Sequence, residues 1–114
     1  MSQHEIKELL SKARKLIENP ENWLQGDFSR DAEGNPCFST EENAVCFCSI
    51  GALRRATSSG VDNHRNYRWA TPTYIAARVA LQVKMGTFVD TFNDSHTHQE
   101  VLAKFDEAIN SIVV

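Results

Sequence analysis

Thr97-His98-Gln99-Glu100-Val101-Leu102-Ala103-Lys104-Phe105-Asp106-Glu107-Ala108-Ile109-Asn110-Ser111-Ile112 carries the start and the buried face of one helix in a single run. Thr97 and Glu100 stand at the spacing of a capping box, in which two side chains each satisfy an orphan amide of the first turn. Val101, Leu102, Phe105, Ala108, Ile109 and Ile112 then repeat at three and four residues, the period of one buried helical stripe. Just upstream lies Phe92-Asn93-Asp94-Ser95-His96, so Asn93, Asp94, His96 and His98 crowd the approach to a helix N-terminus. Free amides and the helix dipole favour an anion there. This is the densest group of polar, reactive side chains in the chain, and no catalytic motif is written across it.

Working outward, Ser2 and Glu5 form a second capping box, and Ile6, Leu9, Leu10, Ala13, Leu16 and Ile17 follow as an apolar stripe. Asn19 and Pro20 end that helix, which is expected over residues 3–18. Arg30-Asp31-Ala32-Glu33-Gly34-Asn35-Pro36 is dense in turn formers. Short extended pieces at Gly26–Ser29 and Cys37–Phe38 make a small hairpin around it. Thr40, followed by Glu41 and Glu42, reads as a helix entry, and Asn43–Ala56 as a central helix, apolar around its circumference. Gly51 inside that helix costs about 1 kcal/mol against Ala, which points to another helix crossing closely there. Residues 58–66 lack any period and read as a surface loop. Thr71 and Pro72 open a third helix, carried by Ile75, Ala76, Val79, Ala80 and Val83 to Met85 and closed by Gly86. Thr87 and Asp90 suggest one brief turn through Phe92. The expected fold is mainly α, with α+β at the margin: four main helices in one domain over residues 1–114, and a small β-hairpin insertion near residues 26–38.

The composition bounds the rest. At 114 residues, 41% hydrophobic and 24% charged, the chain resembles an ordinary globular protein. No apolar run approaches the roughly 20 residues that cross a bilayer, and the charged amphipathic start is unlike a signal peptide. Three cysteines cannot all pair, and reduced thiols in a cytoplasmic protein are expected. The net charge of −3 is unevenly spread. Arg54, Arg55, Arg65, Arg68 and Arg78 face only Asp62 within residues 54–78, while both flanking stretches are acidic. The plain reading is that Arg54 and Arg55 decorate an exposed helix end.

Each reactive residue has a bland reading and a sharp one. Cys46 and Cys48, two apart on a helix, point roughly 200° from each other and cannot share an ion. Buried cysteine usually packs as a small hydrophobe, which leaves Cys37 as the exposed thiol. His96 and His98 with Asp94 are raw material for a metal or acid–base site, but three or four ligands cannot be assembled, so no metal and no cofactor are expected. Asn93 suits a role tying loop backbone with its amide. Trp23, Tyr67, Trp69 and Tyr74 beside Arg65 and Arg68 suit stacked bases or a protein interface alike. A glycine-rich phosphate loop, HExxH and GxSxG are all missing. The second and third helices are joined by a span too long for a helix-turn-helix.

Trp23…Gly26…Asp31…Gly34, then Ala44…Phe47-Cys48-Ser49-Ile50-Gly51-Ala52-Leu53-Arg54-Arg55-Ala56, then Phe92-Asn93-Asp94…Glu100-Val101-Leu102-Ala103-Lys104-Phe105-Asp106-Glu107-Ala108-Ile109 resembles a family of small bacterial and phage proteins of unknown function. The resemblance runs from Trp23 onward, with residues 58–70 outside it, and Phe47 and Phe92 stand where relatives are expected to carry Trp. It implies no activity. It does imply that Asn93, Asp94 and Cys48 form a shared centre.

These readings favour a non-enzymatic cytoplasmic binding or regulatory module with a protein partner and, through the resemblance, a phage link. Its expected surface joins the basic loop to the helix approach, with Asn93, Asp94, His96, His98, Arg65, Arg68 and Trp69 as binding residues. A small enzyme or small-molecule binder centred on Asp94, His96 and Cys48 is the second reading. Weak single-stranded nucleic-acid binding through the arginines is the third and is disfavoured.

Overall fold

The computed structural model describes residues 2–57 and 71–113. Arg65, Arg68 and Trp69, and the loop expected at 58–66, lie outside the described residues.

Helix α1 (Gln3–Leu16) begins as expected, with the Ser2 hydroxyl accepting the Glu5 amide. It buries Ile6, Leu9, Leu10 and Ala13. Asn19 caps a short 3₁₀ turn at Pro20–Asn22. Strand β1 (Ser29–Asp31) then pairs antiparallel with β2 (Ala44–Phe47), in the register Ser29↔Phe47 and Arg30↔Cys46. Helix α2 covers Ser49–Thr57, α3 Pro72–Met85, α4 Val89–Ser95 and α5 His98–Asn110. The architecture is mainly helical, with five helices and one two-stranded sheet among the described residues. α1 packs against α2, α3 and α5, and α3 against α5, α2 and α4. Their buried faces meet in one core that includes Leu10, Ile17, Leu53, Tyr74, Leu81 and Phe105.

Five expectations are corrected. The helix expected over Asn43–Ala56 starts only at Ser49, because Ala44-Val45-Cys46-Phe47 is strand. A short apolar run reads equally as helix or strand, and the unpaired backbone of β1 decides between them. The expected hairpin therefore closes differently. The turn at 31–35 is present, with the Gly34 amide bonded to the Asp31 carbonyl, and Cys37 N–H does reach Ser29 O, but the strand partner of β1 is β2. Gly51 is indeed a place of close approach, although backbone, not a helix, does the approaching: a Cβ there would overlap the carbonyl oxygen of Phe28. The brief turn expected after Thr87 is a helix in its own right, α4.

The fifth correction concerns α3. The stripe Ile75, Ala76, Val79, Ala80 and Val83 that marks this helix in the sequence is not its buried face, which is Tyr74, Ala77, Leu81 and Met85. This helix carries two apolar stripes. The one with Tyr, Leu and Met removes more apolar area from water, so it takes the core and turns the aliphatic stripe outward.

Candidate functional site

Asn93 sits near the end of α4 with no exposure to solvent. Its Oδ1 accepts from the Trp23 indole N–H at 2.9 Å, from the Ser49 amide at 2.9 Å and from the Ser49 hydroxyl at 2.7 Å. Its Nδ2 donates to Leu24 O at 3.0 Å and to Asp94 Oδ1 at 3.2 Å. One amide thus ties the segment after the 3₁₀ turn, the first residue of α2 and the end of α4. Gln25 reinforces the tie, its Nε2 donating to the carbonyls of Asn93 and His96. The Asp94 carboxylate also accepts from the Gly26 amide at 3.1 Å.

The histidines are similarly committed. His96 stacks on Phe92 with centroids 3.6 Å apart, its Nδ1 lying 3.0 Å from Phe92 O. His98 Nε2 lies 2.6 Å from Ile17 O, and its ring packs 5.4 Å from Trp23. Thr97 and Glu100 close the capping box, and the Thr97 amide donating to Glu100 is the main cause that lowers the carboxyl pKa. The structure therefore brings Asn93 and Asp94 into one hydrogen-bonded knot. His96 and His98 are set at its rim, each against a different backbone carbonyl.

Beside the knot is a cleft of about 230 Å³ lined by Gly26, Asp27, Phe28, Cys48, Asp90 and Asp94. Cys48 and Asp94 share it, as the small-molecule reading required, but His96 is not part of its wall. Burial pushes the Cys48 thiol up to about 11, so it is protonated at neutral pH and lacks the thiolate a nucleophile needs. Asp27 is held by Arg30, 2.7 Å from its guanidinium. Among the described residues, no three His, Cys, Asp or Glu side chains converge as ligands for a metal ion.

The other thiols and the basic residues also depart from expectation. Cys46 lies on β2, not on a helix, so the argument from a 200° separation does not apply to it; its Sγ meets Arg30 O at 3.8 Å. Cys37 is half-buried like Cys46, and burial raises its pKa. Arg54 and Arg55 are not solvated decoration. Arg54 lies 4.3 Å over the Phe28 ring, while Arg55 donates to the carbonyls of Ser39 and Glu41. Tyr74 belongs to the core, not to an aromatic binding wall.

A surface the sequence reading missed lies on α3. Ile75, Val79, Val83 and Phe88 are 48, 49, 69 and 66% exposed. The first three are spaced by four residues along one face, and Phe88, just before α4, extends the line. A shallow groove of about 270 Å³ runs between Val79, Gln82, Val83, Gly86, Thr87 and Phe88. Gly86, in the left-handed conformation at φ 76°, makes the chain reversal that places Phe88 there. The signal was present in the sequence as a second apolar stripe on the same helix, Tyr74, Ala77, Leu81 and Met85. Two stripes on one helix mean that one of them is left outside.

Residues 1–111 match the family described as Family of unknown function (DUF6197). The chain belongs to it. The DUF6197 match takes in α1 and residues 58–70, both of which the resemblance left out, and it includes the Asn93 knot and the α3 face alike. No curated protein and no solved structure matches the chain. Among the described residues no helix is long and apolar enough to cross a membrane.

Proposed function

We propose that this member of DUF6197 is a protein-binding module whose contact surface is the outward face of α3 together with Phe88. The observation that carries the reading is the exposure of four large apolar side chains in one line, three of them on a single helix. Scattered apolar residues are ordinary on a surface, whereas a contiguous rimmed patch marks an interface. A second observation supports it. Asn93, His96 and His98 are engaged in bonds that hold the fold, so they have little capacity left for a substrate.

The test is a photo-crosslinking side chain placed at Val83, with Gln99 as a control position, expressed in the native host. An adduct formed at Val83 and not at Gln99 is identified by mass spectrometry and rebuilt from purified proteins. The rebuilt pair is expected to lose at least tenfold in affinity on Phe88→Ala, with the melting temperature unchanged. Equal adducts at both positions, or none at either, would end the reading.

A further inference from the structure

We infer that the partner presents an amphipathic helix with carboxylates on both sides of its apolar stripe; this rests on the reading of the α3 face as a contact surface. The charge pattern argues for it. α3 contains Arg78 and Lys84 and no acidic residue. At 3.6 residues per turn, Arg78 lies about 60° from Ile75 on one side of the Ile75–Val79–Val83 stripe, and Lys84 about 100° from Val83 on the other, beyond Ala76 and Ala80. Neither cation forms a salt bridge with a described carboxylate, although six ion pairs are formed elsewhere among the described residues. The Arg78 guanidinium rests 5.8 Å over the Tyr74 ring, and its Nε is buried without a hydrogen-bond partner. A guanidinium held in place and lacking an anion is prepared for one. An apolar centre with charged groups at the rim is the usual anatomy of a recognition surface.

The form of the partner follows from what the sheet leaves free. β1 is bonded on its outer side by residues 35–37, and the end of β2 receives the Leu24 amide at Phe47 O, so the sheet offers little edge to an added strand. The stripe instead has the four-residue spacing of a helix, and the groove before Phe88 has room for one large side chain at its end. A membrane surface fits less well. The chain carries a net charge of −3, and α3 supplies two cations where interfacial helices are rich in them.

The experiment uses the full chain, labelled with ¹⁵N, and two synthetic helical peptides that share one leucine stripe. One is flanked by glutamates and the other by lysines. The glutamate peptide is expected to shift amides within residues 75–88 and to bind at least tenfold more tightly than the lysine peptide. Arg78→Glu should narrow or reverse that preference, and Val83→Glu should remove binding of either peptide. Equal binding of the two peptides, shifts outside residues 75–88, or binding of neither would overturn the inference. So would a Val83-dependent dimer in sedimentation, or Val83-dependent binding to phosphatidylserine vesicles. If neither peptide binds while the Val83 crosslink yields a rebuilt partner, only the chemistry assigned to the partner fails. If the crosslink also yields nothing, the contact surface fails with it.

Discussion

A single buried amide does more to define this molecule than any charged group. Asn93 accepts three hydrogen bonds and donates two, with no water contact to replace any that is lost. Removing it strands the Ser49 amide and the Leu24 carbonyl in the interior, where an unsatisfied polar group costs about 1–3 kcal/mol. Asn93→Ala should therefore lose about 3 kcal/mol in urea denaturation. Trp23→Phe removes only one of the three donors to Oδ1 and should lose about 1 kcal/mol. Comparable losses from the two variants would mean that Asn93 is not the hub. Cys48 makes a second residue-scale prediction. With its pKa raised to about 11, the thiol stays protonated up to well above neutral pH. At pH 8, iodoacetamide should label the half-buried Cys37 and Cys46 before Cys48, and Cys48 should react readily only after unfolding. Early alkylation of Cys48, read by peptide mass spectrometry, would return it to the list of candidate nucleophiles. The sequence reading favoured a tying role for Asn93, because an Asn before a helix start commonly bonds nearby backbone. The identity of its partners could not be read, since Trp23 and Ser49 lie 70 and 44 residues away.

Elements chosen by local pattern were legible where one stripe and one cap agreed, and not where two alternatives were equally apolar. α1 and α5 had a capping box and a single stripe each, and both start where the pattern placed them. β2 and α3 had no such agreement. The 44–47 run could be helix or strand until β1 needed a partner, and α3 offered two faces to one core. The burial of α3 yields a direct test. Leu81 is fully buried, so Leu81→Ala should cost about 3 kcal/mol from lost packing and a cavity. Val83→Ser, on the outward stripe, should stay within about 0.5 kcal/mol of the parent. If the two costs were reversed in thermal unfolding, the helix would be rotated. Gly51 sets two effects against each other. Alanine there gains about 1 kcal/mol of helix propensity. The added Cβ, however, meets backbone at Phe28, which is fixed by the pairing of β1 and cannot move aside as a side chain could. Net destabilisation of about 2 kcal/mol or more is expected for Gly51→Ala. A neutral or stabilised variant would show that the 28–29 backbone yields easily.

At the scale of the whole molecule, the first and last helices are clasped together, which leaves α3 as the helix with an apolar face to spare. Arg14 meets Asp106 through Nε at 2.6 Å and through a terminal nitrogen at 3.3 Å, 92 residues away in sequence. His98 reaches Ile17 O just past the end of α1. Neither clasp was readable from the chain, because one pairs two polar side chains outside the apolar stripes and the other ends on a backbone carbonyl, which leaves no trace in the residue pattern. The basic middle was legible as composition, but its Arg54 and Arg55 are not solvated decoration, since they are spent on Phe28 and on loop carbonyls. What remains on the outside is the stripe of Ile75, Val79, Val83 and Phe88, and its openness can be checked with no partner in hand. A contiguous apolar patch strengthens retention on a hydrophobic column in high ammonium sulfate, because salt raises the cost of keeping that surface in water. The Val79→Ser/Val83→Ser double variant should elute earlier than the parent. Its melting temperature should be little changed, because neither side chain contributes to the core. Earlier elution with a large drop in melting temperature would place both valines inside the fold. Unchanged elution would show that something already covers the stripe, and the contact surface would have to be sought elsewhere on the molecule.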